Sequence, residues 1–316
     1  MNNILKESSY SINKAVRLLS TNKLVSLKAE TVYGLACDPS SIKSIKKLYN
    51  LKKRPYNNPL IIHISSIQML NSICQTNELT KKIISQFWPG PLTIILPRKK
   101  NKNILDFAVS GLDTIAVRMP KSPVFLSVLK KFGKPIAAPS ANESGYISST
   151  KATHVFDSFK RKIDLIIDSG QSDFGLESTI IDLSSNKIIL RRPGVIGIKP
   201  LEVFIGKKIY ELKTNTKNPN SPGQFLKHYS PITPLKLNVK LPKDGDAFLG
   251  FGKLNFNHNP SLNLSKKGDL NEAAFNLFNF LRKLDKLNRN NISVYPIPKK
   301  GIGKAINERL ARAECK

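Results

Sequence analysis

Cysteine is scarce: Cys37, Cys74 and Cys315 are the whole supply in 316 residues, and no two form a CxxC pair. That excludes a disulfide framework or a cysteine zinc site and fits a reduced, cytoplasmic setting. No run of about 18 apolar residues occurs, so no membrane-spanning helix is expected. The opening MNNILKESSYSINKAV lacks the apolar core of a signal peptide. HExxH, an HxxxH pair and paired acidic residues are also missing, and no protein-held metal is expected. GIGK at 301–304 lacks the GxxxxGK frame, and Ala305 stands where a P-loop needs Ser or Thr. Ser178 has no His and Asp companions at a triad's spacing, which argues against a hydrolase.

Acidic residues are few as well: 22 against 51 Lys and Arg, a formal net charge of +29. Such an excess suggests a polyanionic partner such as nucleic acid. Its distribution does not single one out. Residues 239–316 hold 15 basic and 7 acidic residues, which leaves 36 and 15 for residues 1–238. The basicity is therefore spread along the chain, and a weak RNA contact stays open without a dedicated RNA-binding module. Arginine is the scarcer base, at 11 against 40 lysines. Arg54, Arg118, Arg191 and Arg192 each sit beside an apolar, strand-like segment. A planar fork that grips phosphate or carboxylate at two points is not replaceable by Lys, so these arginines point to an oxyanion site.

The length allows about two domains. Helical spacing predicts helices over 11–20, 67–73, 79–87, 124–131, 271–284 and 301–313, and one from a Ser40 or Ser41 cap to about 49. Strands are predicted at 23–29, 60–64, 92–96, 114–119, 135–139, 164–168, 246–251 and 291–296. A hairpin is predicted from 178–183 and 187–190. ETVYGLACDP reads as a turn. This alternation predicts an α/β fold with a twisted mixed sheet flanked by helices, followed by a smaller α/β unit. Pro, Asn, Ser and Thr dominate from 211 to 234, as in a linker, although Phe225, His228 and Tyr229 are unusual there.

LKKRPYNNPLIIHI at 51–64 is the sharpest stretch. It reads either as a solvated basic turn or as an anion-holding loop set on a strand. Lys52 and Arg54 are expected on one side of an extended segment, and Ser140 and Asn142 of PSAN repeat the spacing. His63 should point away from the core that takes Ile62 and Ile64.

These pieces resemble a known family. ETVYGL, the KxR of Lys52 and Arg54, NPLIIHI, WPGPLT, TIAVRMP, PSAN–SG, ESTIIDL, RRPG, HYSP and GIGKAINERLARA occur in the order found in the YrdC-like L-threonylcarbamoyladenylate synthases, in the long form with a C-terminal domain. The resemblance implies a catalytic domain over 6–208, a linker over 209–238 acting as an active-site lid, and a Rossmann-like α/β domain over 239–316. It implies formation of threonylcarbamoyl-AMP and pyrophosphate from threonine, bicarbonate and ATP. Mg²⁺ would arrive with the ATP, and downstream proteins would transfer the product to tRNA. Lys52, Arg54, Ser140 and Asn142 resemble the family's catalytic tetrad. Arg54, Asn58, Thr114, Ser140, Ser148, Arg192 and Tyr229 would contact ATP. Thr31, His63, Arg118, Ala138 (through its backbone) and Ser178 would contact threonine. An RNA-binding protein without this activity and a related carbamoyl-transfer enzyme are the alternatives.

Overall fold

A computed structural model describes residues 3–211 and 228–315; Phe225 and the rest of 212–227 lie outside the described residues. The N-terminal part carries two sheets. Four strands run in the order Ile4–Lys6, Leu165–Asp168, Val25–Lys28, Tyr33–Ala36. Seven run Ile209–Glu211, Ile188–Arg192, Thr179–Asp182, Leu92–Pro97, Thr114–Arg118, Ile61–His63, Ile136–Ala137, with parallel and antiparallel pairs mixed. A third sheet is parallel throughout: Leu235–Lys236, Ile292–Val294, Ala247–Gly250, Ser261–Asn263. Ile209–Glu211 and Leu235–Lys236, which the resemblance places in the linker over 209–238, pair into the second and third sheets.

The helices bury one face each, as their apolar spacing demands. Ser9–Ser20 buries Ala15 and Leu19 against Val128 and Leu129 of Pro123–Phe132, on the four-stranded sheet. Leu270–Asp285 and Gly303–Glu314 form one apolar cluster with the third sheet. Val32, Ile147 and Leu176 of the N-terminal part belong to that same cluster, so the two parts share a core.

Two expectations about local structure change. ETVYGLACDP contains the strand Tyr33–Ala36. Its Gly and Ala have poor strand propensity, but it pairs antiparallel with Val25–Lys28, and its other edge is bonded from a distance: Leu35 donates to Pro139 O at 2.8 Å, Cys37 to Ala137 O at 2.9 Å, and Ala141 to Tyr33 O at 2.8 Å. The helix capped by Ser41 continues through Lys52 and ends on Lys53, which takes the left-handed conformation at φ 51°. Lys52 and Arg54 therefore do not share an extended segment. They flank a helix C-cap, the position that usually calls for glycine or asparagine.

Candidate active site

The backbone bonds just described bring three distant stretches together. Residues 137–138 lie between Ile61–His63 on one side and Tyr33–Cys37 on the other: Ala137 pairs with Ile62 and Cys37, and Ala138 donates to Ile61 O at 3.1 Å. His63 and Arg118 are register partners at the C-terminal ends of adjacent parallel strands. Thr179 starts its strand at the same end of the sheet, beside Leu92. These ends surround a cleft lined by Thr31, Arg54, His63, Arg118, Ala138, Ser140, Ser178 and Arg192. Eight of the fourteen residues singled out from sequence thus meet in one place. Glu177, His228 and Phe125 join them.

Period-two alternation holds in the strand Ile61–His63. Ile62 and Ile64 enter the main core, while His63 and Ile61 line the cleft. His63 is buried and stacks on Phe125 with ring centroids 4.9 Å apart. Burial, reinforced by the Arg118 charge, lowers its pKa to about 3. It is therefore neutral in the cleft at physiological pH and offers a contact, not a cation.

Three guanidinium groups define the electrostatics. Arg54 donates from Nε to Asn58 O at 3.0 Å, and from Nη2 to Asn58 Oδ1 at 2.6 Å and Pro59 O at 2.7 Å. Those bonds leave Nη1 for the cleft. Arg192 donates from Nε and Nη2 to Ser178 O and from Nη2 to Ser178 Oγ, again leaving Nη1. Neither is ion-paired to a carboxylate among the described residues, and burial lowers the pKa of both. Arg118 is held from three sides: Nε donates to Gly90 O at 3.1 Å, Nη1 to Thr31 Oγ1 at 2.8 Å, and Nη2 to Glu30. One N–H on each terminal nitrogen remains, a fork suited to a carboxylate. Ser178 is fixed by Arg192 and by a 2.7 Å bond to Thr93 Oγ1. Gly194 of RRPG permits this arrangement, because a Cβ there would lie 2.4 Å from Thr179 N and 2.5 Å from Ser178 C.

The other sequence-derived residues stand outside the lining. Lys52 is neither solvated nor aimed into the cleft. It is 1% exposed, and its ammonium donates to Ser140 O at 2.5 Å and to Asn142 O. Burial, then the Arg54 charge, drives its pKa well below the usual range. Asn142 is buried too, and its amide donates to Glu143 O and Tyr146 O. The two pairs therefore do not converge on one point: Arg54 and Ser140 face the cleft, while Lys52 and Asn142 brace the loop behind it. Lys53 is the solvated lysine, paired with Glu143 at 2.9 Å. Asn58 orients Arg54, and Ser148 donates to Glu177 Oε1 at 2.5 Å. Thr114 starts the strand that Arg118 ends, opposite Pro97, away from the cleft. Tyr229, with φ 65°, turns inward and stacks on Phe278 at 5.5 Å, so His228, not Tyr229, lines the cleft. No group of three or more His, Cys, Asp or Glu able to hold a metal lies among the described residues.

Glu30, Glu177 and Arg309 were not found from sequence, since their partners lie 88 to 132 residues away. A signal existed for Arg309. It falls on the apolar stripe of its helix, with Ala305, Ile306, Leu310 and Ala313.

An α/β cleft ringed by buried arginines defines a protein that binds phosphate or carboxylate groups. Comparison with known proteins narrows this. The Sua5/YciO/YrdC family model, which carries the description "Telomere recombination", matches residues 17–194, and the model "Threonylcarbamoyl-AMP synthase, C-terminal domain" matches residues 196–314. The chain belongs to the Sua5/YciO/YrdC family, in its two-domain form. A threonylcarbamoyl-AMP synthase of Pyrococcus abyssi is 34% identical over 96% of this chain and 94% of its own length. One of Bacillus subtilis is 34% identical over 96% and 92%. The crystal structure of P. abyssi Sua5 complexed with L-threonine superposes with a TM-score of 0.89 at 32% identity, covering 99% of this chain and 97% of that one.

The buried histidines carry a prediction of their own. Burial lowers His63 and His154 from the ordinary 6.5 to about 3. Below 6.5 the unfolded chain takes up protons that the folded chain refuses, so stability is full above that pH and is lost as pH falls toward about 3. The urea midpoint should already drop between about pH 6.5 and 5, above the carboxylate range. A flat midpoint there would contradict the assignment.

Proposed function

We propose that this protein is an enzyme that makes L-threonylcarbamoyl-AMP and pyrophosphate from L-threonine, bicarbonate and ATP. The observation that carries the reading is the cleft itself. It holds two buried arginines with no carboxylate partner among the described residues, beside a third whose fork is pre-oriented by Glu30 and Thr31. Near-full-length similarity to threonylcarbamoyl-AMP synthases supports the same activity.

In this account the amino group of threonine adds to the carbon of bicarbonate, and water leaves. The resulting carbamate oxygen attacks the α-phosphorus of ATP, and pyrophosphate departs. Both reactants are anions, and two opposed groups of cations bring them together. Arg118 takes the threonine carboxylate on its remaining N–H pair, near the hydroxyls of Thr31 and Ser178. Ala138 offers its carbonyl oxygen, since its N–H is engaged with Ile61. Neutral His63 closes that side without adding charge. Arg54 and Arg192, with Ser140, take the phosphates through their free Nη1 groups and stabilise charge on the transferring phosphoryl group. Lys52, Asn142, Asn58 and Ser148 act behind them by holding Ser140, Arg54 and Glu177. A closed, dry cleft would also limit loss of CO₂ from the carbamate.

Thr114 and Tyr229 keep their proposed ATP contacts only if nucleotide binding rearranges the chain, with 209–238 closing as a lid between domains at 6–208 and 239–316. Mg²⁺ would travel on the ATP phosphates. Among the described residues, the single carboxylate in the lining, Glu177, is already occupied by Ser148 and Arg309, so these residues offer a poor metal site of their own. The proposed setting is the cytoplasm, with tRNA-modifying proteins taking the product. Among the described residues, no helix is long and apolar enough to cross a membrane.

Pyrophosphate release tests the reading. It should require threonine, bicarbonate and ATP together. Release without threonine would indicate a different substrate, and no release would remove the activity.

A further inference from the structure

Glu177 is the one carboxylate in the cleft lining among the described residues, and it lies in the wall that Arg192 and Ser178 form. An ionised carboxylate there would repel a polyphosphate. Its charge is met from the other domain. Oε2 accepts from Arg309 Nε at 2.9 Å, and Oε1 from Ser148 Oγ at 2.5 Å. Burial alone would raise the Glu177 pKa, but Arg309, Arg192 and Ser148 together hold it below the usual range.

Arg309 belongs to the helix Gly303–Glu314, is 1% exposed, and lies 5.0 Å over the Tyr229 ring. A second arginine, Arg282 of Leu270–Asp285, reaches the same wall. It donates to the carbonyls of Ile147 and Ser148 and, at 3.3 Å and 3.2 Å, to the hydroxyls of Ser149 and Ser158. Close seating of the helices makes this reach possible. Gly175, two residues before Glu177 and at φ +71°, has Ala274 O and Phe275 Cα within 2.7 Å of where a Cβ would stand.

We propose that the C-terminal domain is a working part of the cleft: Arg309 cancels the Glu177 charge and so sets affinity for a polyphosphate, while Arg282 keeps Ser148 on the same carboxylate. Arg309 and Arg282 are positioning residues, since neither lines the cleft. The identity of the polyphosphate as ATP rests on the function proposed above.

The test is a charge-pair cycle in the full chain: wild type, Arg309→Met, Glu177→Gln and Arg309→Met/Glu177→Gln. ATP and inorganic triphosphate are titrated by calorimetry without threonine, and each melting temperature is recorded. Arg309→Met should weaken both ligands by about tenfold or more, because it leaves an unpaired buried carboxylate beside the phosphates. The double variant, with neither charge, should recover most of that loss. A purely structural Arg309 would give a double variant no better than the single one, and that result overturns the proposal, as does unchanged binding by Arg309→Met. If Arg309→Met does not fold, Gly175→Ala replaces it. By pushing the C-terminal domain off the wall, it should weaken both ligands, and Glu177→Gln added to it should restore them; wild-type affinity in Gly175→Ala, or no restoration, overturns the proposal. Wild-type protein that binds triphosphate but not ATP removes the functional reading and leaves this test intact. Protein that binds neither removes both.

Discussion

Arg54→Lys should cut turnover by on the order of 10²–10³-fold while keeping the positive charge. Arg54 splits its fork. Nε and Nη2 are tied to Asn58 and Pro59, and Nη1 is left to the cleft. A lysine has one nitrogen and no fixed plane, so it can satisfy those carbonyls or reach the phosphates, not both. The fold should survive, because the charge and most of the stem volume remain. Steady-state kinetics with ATP and threonine in excess, set beside a thermal melt, gives the answer. A folded Arg54→Lys enzyme with near-normal turnover would refute the role given to the guanidinium plane.

Arg118→Lys should raise the threonine KM by on the order of 10²-fold and leave the ATP KM within about twofold. Glu30 is 2% exposed and needs a cation. Lysine can supply that charge, which avoids the penalty of about 3–5 kcal/mol for leaving a buried carboxylate alone. It cannot also bond Gly90 O and Thr31 Oγ1 and still present two N–H groups to a carboxylate. Measuring both KM values separates this from general damage. Equal rises for ATP and threonine would show that Arg118 holds the cleft together and does not select one substrate.

These two arginines were legible in the sequence for a physical reason: in a lysine-rich chain, arginine beside an apolar strand marks a place where fork geometry matters. Period-two alternation likewise put His63 opposite Ile62 and Ile64, as observed. Lys52 was misplaced because its helix ends on a left-handed lysine, a C-cap that leaves no glycine to see. The strand Tyr33–Ala36 was hidden because its Gly and Ala carry little strand signal, while its bonds come from Val25–Lys28 on one edge and from residues 137–141, a hundred positions away, on the other. Glu177 and Arg309 show the same limit at the level of the site. Each looks ordinary alone, and only the packing of the C-terminal helices makes them a pair. Local pattern therefore exposed Arg54, Arg118, Arg192, His63 and Ser140 at the cleft, the family resemblance added Thr31, Ala138 and Ser178, and neither reached Glu30, Glu177 or Arg309, whose partners are remote in sequence.

The most direct test of the account follows the atoms. The enzyme is incubated with ATP, ¹⁴C-bicarbonate and ³H-threonine, and the adenylate fraction is isolated while pyrophosphate is counted. The account predicts one adenylate species carrying both labels in equal amounts, with one pyrophosphate released for each. Pyrophosphate without ¹⁴C in the adenylate, or an adenylate with ³H alone, would contradict it, because the carbamate would then not be the group that attacks the α-phosphorus.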